Sequence, residues 1–92
     1  LSPLMNTNVE RAISLVGGQS RLASVLGVTP PAVAEWRSGG RPVPIERCVQ
    51  IEQITVGAVR RWDLRPDDWH RIWPELIGAE GAPEVPAEKA AA

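Results

Sequence analysis

Residues 19–38 read QSRLASVLGVTPPAVAEWRS, and the fold turns on this stretch. Leu22, Ala23 and Leu26 share one helical face, and Gly27 stops the helix they define. Thr29 is a good N-cap for a second helix. Pro30 then falls at the first helical position, where a missing N–H costs nothing. Pro31 falls at the second, inside the turn whose donors have no intrahelical acceptor. Val33 and Trp36 form the buried side, and Ser38-Gly39-Gly40 ends the helix. Two short helices separated by Gly-Val-Thr make a helix-turn-helix. Ala23 falls where the helices cross, and a larger side chain there would push them apart. Gly27 falls in the turn, where positive φ is needed. Leu22, Leu26, Val28, Val33 and Trp36 complete the expected core.

Upstream, NTNVERAISLVGG (6–18) places Val9, Ala12, Ile13 and Val16 on one helical face, with Thr7 or Asn8 as cap and Gly17-Gly18 as stop. Downstream, RPVP (41–44) reads as an extended linker. IERCVQIEQIT (45–55) reads as a helix with Ile45, Cys48 and Ile51 facing inward and its end near Thr55-Val56-Gly57. Glu52 falls close to that apolar face and, if partly buried, needs a cationic partner; Arg37 and Arg65 are the candidates. Residues 56–62 read as helix, with a short strand as the alternative, since Val56, Ala58 and Arg60 alternate weakly with their neighbours. In AVRRWDLRPDDWHRIWPEL (58–76), Pro66 interrupts, Asp67 caps a short helix, and Pro74 ends it. From Gly78 on, GAEGAPEVPAEKAAA has almost nothing to bury and reads as a disordered tail. Met5 would make a natural start, so Leu1–Leu4 stand outside the fold reading. The expectation is an all-α, compact five- to six-helix domain over residues 5–77 with an acidic tail over 78–92.

Composition narrows the function classes. One cysteine and one histidine allow neither an internal disulfide nor a Cys/His metal set, so no metal and no cofactor are expected. No apolar run approaches the roughly 18 residues of a membrane span, and no signal-peptide core appears; the expected setting is the cytoplasm, away from membranes. The net charge of −1 hides an asymmetry: residues 1–61 carry seven arginines against four glutamates, whereas 62–92 carry three basic and seven acidic groups. A basic body precedes an acidic end.

Over about residues 8–73 the chain resembles the YdaS-type antitoxins and Cro-like regulators of phages and prophages, which share a lambda-repressor-like domain. The pieces that carry the likeness are GGQ (17–19), Leu22-Ala23, LGV (26–28), Val33, Trp36, RPVP followed by Glu46-Arg47-Cys48 and Ile51-Glu52, and LRP (64–66). The resemblance implies an all-helical domain that binds operator DNA, commonly as a homodimer, and represses transcription. It also implies loci where a toxin protein can be a further partner. The second helix of the motif, 30–37, would enter the major groove.

This chain departs from such regulators where they often carry Gln or another hydrogen-bonding residue, since Pro30 and Pro31 stand there instead. Proline cannot make the bidentate bonds to adenine that Gln makes. The outward residues are Thr29, Pro30, Pro31, Ala34, Glu35 and Ser38, the candidate base contacts. Thr29, Pro30, Pro31 and Ala34 can touch thymine methyls, Glu35 can accept from a cytosine amino group, and Thr29 and Ser38 can bond bases or phosphates. Shape readout would have to contribute more than usual. Gln19, Ser20 and Arg21 start the preceding helix, which faces the phosphate backbone, and Arg37 and Arg41 flank the second helix; these five are the candidate phosphate contacts.

Plainer readings stand beside these. Trp36 is core by its spacing from Val33. Cys48 is a small hydrophobe, His70 a surface or semi-buried residue, and Asp67 with Asp68 a helix cap and its dipole partner. The tryptophans of RRWDLRPDDWHRIW (60–73) form a lid over the core or a dimer or partner surface. Arg60 and Arg61 are solvated charges or backbone contacts, and the acidic tail is inert or competes with DNA for the arginines. A protein-interaction module is the alternative to a DNA-binding regulator. For an enzyme, no nucleophile–base pair, paired carboxylates, phosphate loop or metal set is present in the sequence.

Overall fold

The computed structural model describes residues 6–85, and among them it is all-helical, with no strand. The helices are α1 Thr7–Val16, α2 Gln19–Leu26, α3 Pro30–Ser38, α4 Ile45–Ile54, α5 Arg61–Leu64 and α6 Trp69–Ile72, followed by a 3-10 turn at Pro74–Leu76. The fold expectation of a compact helical domain built on a helix-turn-helix holds.

The helix ends follow local chemistry. Asn6, rather than Thr7 or Asn8, caps α1: its side chain accepts from the N–H groups of Asn8 and Val9, both at 3.1 Å. The α1–α3 core is the one the apolar spacing marks. Val9, Ala12, Leu22, Ala23, Leu26, Val33 and Trp36 are buried, with Ile13, Val16 and Val28 packed partly against them.

The second half departs from expectation in several places. Ile45 is 44% exposed, because α4 begins there; Val43, in the linker just before it, is wholly buried and fills that end of the core. Cys48 and Ile51 face inward as expected. Residues 55–59 form turns and bends, neither helix nor strand, and helix resumes only at Arg61. Val56 there adopts φ 53°, uncommon for a β-branched residue, and its side chain is 90% exposed. Asp68, not Asp67, occupies the cap position of α6. Its carboxylate turns away from the helix start and grips Arg65, with Nε–Oδ1 at 3.2 Å and Nη2–Oδ2 at 2.9 Å. His70 is buried, its ring edge-on to Trp69.

Glu52 has partners other than those expected. Arg60 Nε lies 3.2 Å and Arg61 Nε 2.9 Å from its carboxylate, both from the segment just past the turn, while Arg37 and Arg65 are engaged elsewhere. The two guanidiniums also stack on indoles, Arg60 over Trp62 at 4.6 Å and Arg61 over Trp73 at 5.4 Å. Trp62, Trp69 and Trp73 are all buried, with Trp62 and Trp69 packed edge to face at 5.8 Å. They form a lid over the helical core, so this end offers no exposed tryptophan surface.

Further bonds tie the lid down. Asn8 Nδ2 donates to Asp63 O at 3.0 Å and Arg65 Nη1 to Val43 O at 2.9 Å, while Arg47 Nη1, donating to Leu26 O at 2.9 Å, ties α4 to the end of α2. Of the segment expected as a tail, residues 78–82 continue in turns and Ala82 packs partly against the core. Residues 83–85 have no regular secondary structure, and 86–92, with 1–5, lie outside the described residues.

Candidate nucleic-acid interface

The motif's backbone is built by its turn. Gly27 takes φ 75°, which lets the Val28 N–H reach back to Ala23 O at 3.0 Å and close the end of α2. Thr29 is extended (φ −87°, ψ 151°), and its Oγ1 accepts from the Ala32 N–H at 3.3 Å. Pro30 and Pro31 occupy the first two positions of α3. Ala23, 1% exposed, lets α2 and α3 approach closely. At the other end, Arg37 O accepts from the Asn6 N–H at 2.9 Å, so the residue that caps α1 clamps the last turn of α3.

With Val33 and Trp36 turned to the core, helical spacing leaves Pro30, Ala34 and Ser38 in one outward row and Pro31 and Glu35 in the next. All are exposed except Ala34, which is half-buried. The polar members have local partners. Ser38 Oγ donates to Glu35 O at 3.2 Å and accepts from the Gly40 N–H at 3.3 Å. Glu35 Oε1 pairs with Arg41 Nε at 3.1 Å, and Thr29 Oγ1 accepts the cap hydrogen bond. In the first turn the Ala32 and Val33 N–H groups are both directed at Thr29.

The expected phosphate contacts divide. Ser20 and Arg21 are exposed at the start of α2, and the Arg21 side chain lies over Gly17. Gln19 turns inward along the surface: its Nε2 donates to Pro30 O at 3.3 Å, bracing α2 against the first turn of α3. Arg37 donates to Glu10 Oε2 at 3.3 Å and to Gln19 Oε1 at 3.5 Å. Glu10, Arg37, Gln19 and Pro30 thus form one chain of contacts across α1, α2 and α3. The sequence carries no local signal for it, since Glu10 and Arg37 are 27 residues apart. Exposed ion pairs of this kind are worth at most about 1 kcal/mol. Arg37 and Arg41 can therefore exchange a carboxylate for a phosphate at little cost.

Other chemistry is weak. Burial pushes the Cys48 thiol up to about 12, opposed by the Arg65 charge, and its Sγ lies 3.6 Å from Val43 O. An open groove of about 340 Å³ is lined in part by Pro42, Arg65, Asp67, Asp68 and Arg71. Within it, Arg65 is paired with Asp68 and holds the linker through Val43 O, and the hydrogen bond to Asp68 raises the Arg65 pKa. Among the described residues no group of three or more His, Cys, Asp or Glu could hold a metal ion. No described helix is long and apolar enough to cross a membrane.

Comparison with known proteins bears on this geometry. Residues 9–72 match the family described as bacterial toxin YdaS. YdaS of Escherichia coli (strain K12), which carries the name of a transcriptional regulator, is 49% identical over 65 residues, 70% of this chain. The match spans 66% of that relative's length. The solved structure of the Cro protein from prophage element Xfaso 1 in Xylella fastidiosa strain Ann-1 is similar with a TM-score of 0.61 and 49% identity. That match covers 68% of this chain and 94% of the Cro chain. The family description says toxin where the resemblance in the sequence suggested antitoxin, and the pieces that carried the resemblance run from the turn between α1 and α2 to the turn after α5. The chain belongs to the YdaS family.

Proposed function

We propose that this protein is a sequence-specific DNA-binding transcriptional regulator, a Cro-like repressor of its own prophage-type locus, acting in the cytoplasm as a homodimer on operator DNA. The docking unit is the helical domain expected over residues 5–77, and the acidic 78–92 segment follows it in sequence. Helix α3 lies in the major groove, with Thr29, Pro30, Pro31, Ala34, Glu35 and Ser38 toward the bases. Gln19, Ser20, Arg21, Arg37 and Arg41 meet phosphates on either side. The observation that carries the reading is the α2–turn–α3 unit itself: an outward α3 face flanked by exposed arginines, in a chain similar to a Cro protein. No catalytic role is proposed.

A second reading, a protein-interaction module that engages a toxin or similar partner, is favoured by the exposed Pro30-Pro31 surface, whereas the description of the family as a toxin speaks of the family itself and names no partner. It loses one support, because the tryptophans that could have served as hot spots are buried. Replacing Arg21 and Arg41 together by alanine separates the two. The regulator reading expects loss of DNA binding, measured by fluorescence anisotropy, with an unchanged circular dichroism spectrum and melting temperature. Undiminished DNA affinity in the double variant would refute the assignment of these arginines.

A further inference from the structure

The outward face of α3 keeps few polar means of reading a base. Pro30 and Pro31 have no backbone N–H, and the next two N–H groups are directed at Thr29, Ala32 to Oγ1 at 3.3 Å and Val33 to O at 3.3 Å. Ser38 both donates and accepts within its own helix end, and Glu35, paired with Arg41 in the free protein, offers a base only a carboxylate acceptor once Arg41 turns to a phosphate. What remains uncommitted along the rows 30–34 and 31–35 is apolar carbon: two pyrrolidine rings, both exposed, and the half-buried Ala34 methyl.

Those rings sit on a capped first turn and lose almost no conformational freedom on contact. The apolar group that a standard base pair presents in the major groove is the thymine 5-methyl. Arg21 at the start of α2 and Arg41 just past α3, both exposed, supply the charge that would bring a polyanion onto this carbon surface.

We infer that Pro30, Pro31 and Ala34 read thymine 5-methyl groups, so that specificity rests on methyl contacts at particular T·A pairs and little on hydrogen bonds to base edges. The inference rests on the DNA-binding reading above. It makes the three residues determinants of specificity, with the arginines supplying affinity common to all sequences.

The test uses the full chain and a duplex that the chain itself selects from a random-sequence pool. That duplex is resynthesised with deoxyuridine replacing thymidine at one position at a time, which removes the methyl and leaves every hydrogen-bonding group in place. The expected result is about fourfold weaker binding at each thymine beneath α3, the weight of one buried methyl-sized group, with flanking positions unaffected. In Pro31→Ser the thymine-to-uracil ratio at one of those positions falls toward one, while circular dichroism and melting stay those of the parent. Equal affinity for the thymine and uracil forms at every position would overturn the methyl reading and leave DNA recognition standing. Failure to enrich any duplex would remove the DNA-binding reading and this inference with it.

Discussion

Cys48 makes the stability of this fold depend on pH in a window where little else titrates. The thiol is wholly buried on α4, and burial lifts its pKa from an ordinary 9.0 to about 12. The folded state therefore holds a proton that the unfolded chain releases as pH passes 9. Between the two values the unfolded state binds fewer protons, so stability falls as pH rises. Below pH 9 the thiol is protonated in both states and costs nothing. Each unit above it removes about 1.4 kcal/mol, which reaches about 4 kcal/mol by pH 12, a large part of what a domain this small has to lose.

The window is clean because the chain has no tyrosine and a single lysine, Lys89, near its C-terminus. Arginines stay charged throughout it. Urea unfolding followed by tryptophan fluorescence at half-unit steps from pH 7 to 11 measures the slope. Cys48→Ala serves as the control, less stable at neutral pH by about 1–2 kcal/mol for the lost packing but flat above pH 9. Parallel pH profiles for the parent and Cys48→Ala would refute the reasoning. So would rapid modification of the native thiol by a disulfide reagent at neutral pH.

Three further outcomes follow from particular contacts. Glu52→Ala leaves Arg60 and Arg61 without their carboxylate against the indoles and should cost about 2 kcal/mol in urea unfolding, below the 3–5 kcal/mol of a fully buried pair because Arg60 is partly exposed; Glu52→Gln, which keeps the shape, should lose less. Val56→Asn relieves a left-handed backbone position at a side chain that buries almost nothing. It should stabilise by about 1 kcal/mol, raising the melting temperature by roughly 4–8 °C; a lower melting temperature would contradict the strain. Ala23→Leu forces α2 and α3 apart and should destabilise by about 1–3 kcal/mol. Its DNA affinity, measured on the remaining folded protein, should fall as well.

The parts of the fold that were legible in the sequence are those set by local chemistry. Thr29 followed by two prolines fixes where α3 starts, and Gly27 fixes the turn, because a capping hydroxyl, a missing N–H and a positive φ each act within four residues. The parts that were not legible depend on contacts across the chain. Glu52 finds Arg60 and Arg61 only because residues 55–59 turn the chain back, and that turn rests on Val56 in a conformation its residue type disfavours. Val43 lies between two prolines and gives no periodic signal, yet it is core, and Ile45 beside it is displaced to the surface.

The candidate site divides in the same way. The outward positions of α3 follow from helical spacing around Val33 and Trp36. The engagement of Glu35 with Arg41, and of Gln19 and Arg37 with Pro30 and Glu10, needed the packed helices to be seen. Those engagements leave carbon as the main uncommitted surface of α3.

The central claim, an operator-reading regulator built on α3, is tested most directly by titrating the protein against the intergenic duplex upstream of its own gene, with random duplex as competitor, at low and at physiological salt. The account predicts binding that survives the competitor and weakens with salt. If Arg21, Arg37 and Arg41 of both protomers each meet a phosphate, the log–log slope is about −5. Binding that random duplex removes equally, or no binding at either salt, would contradict it.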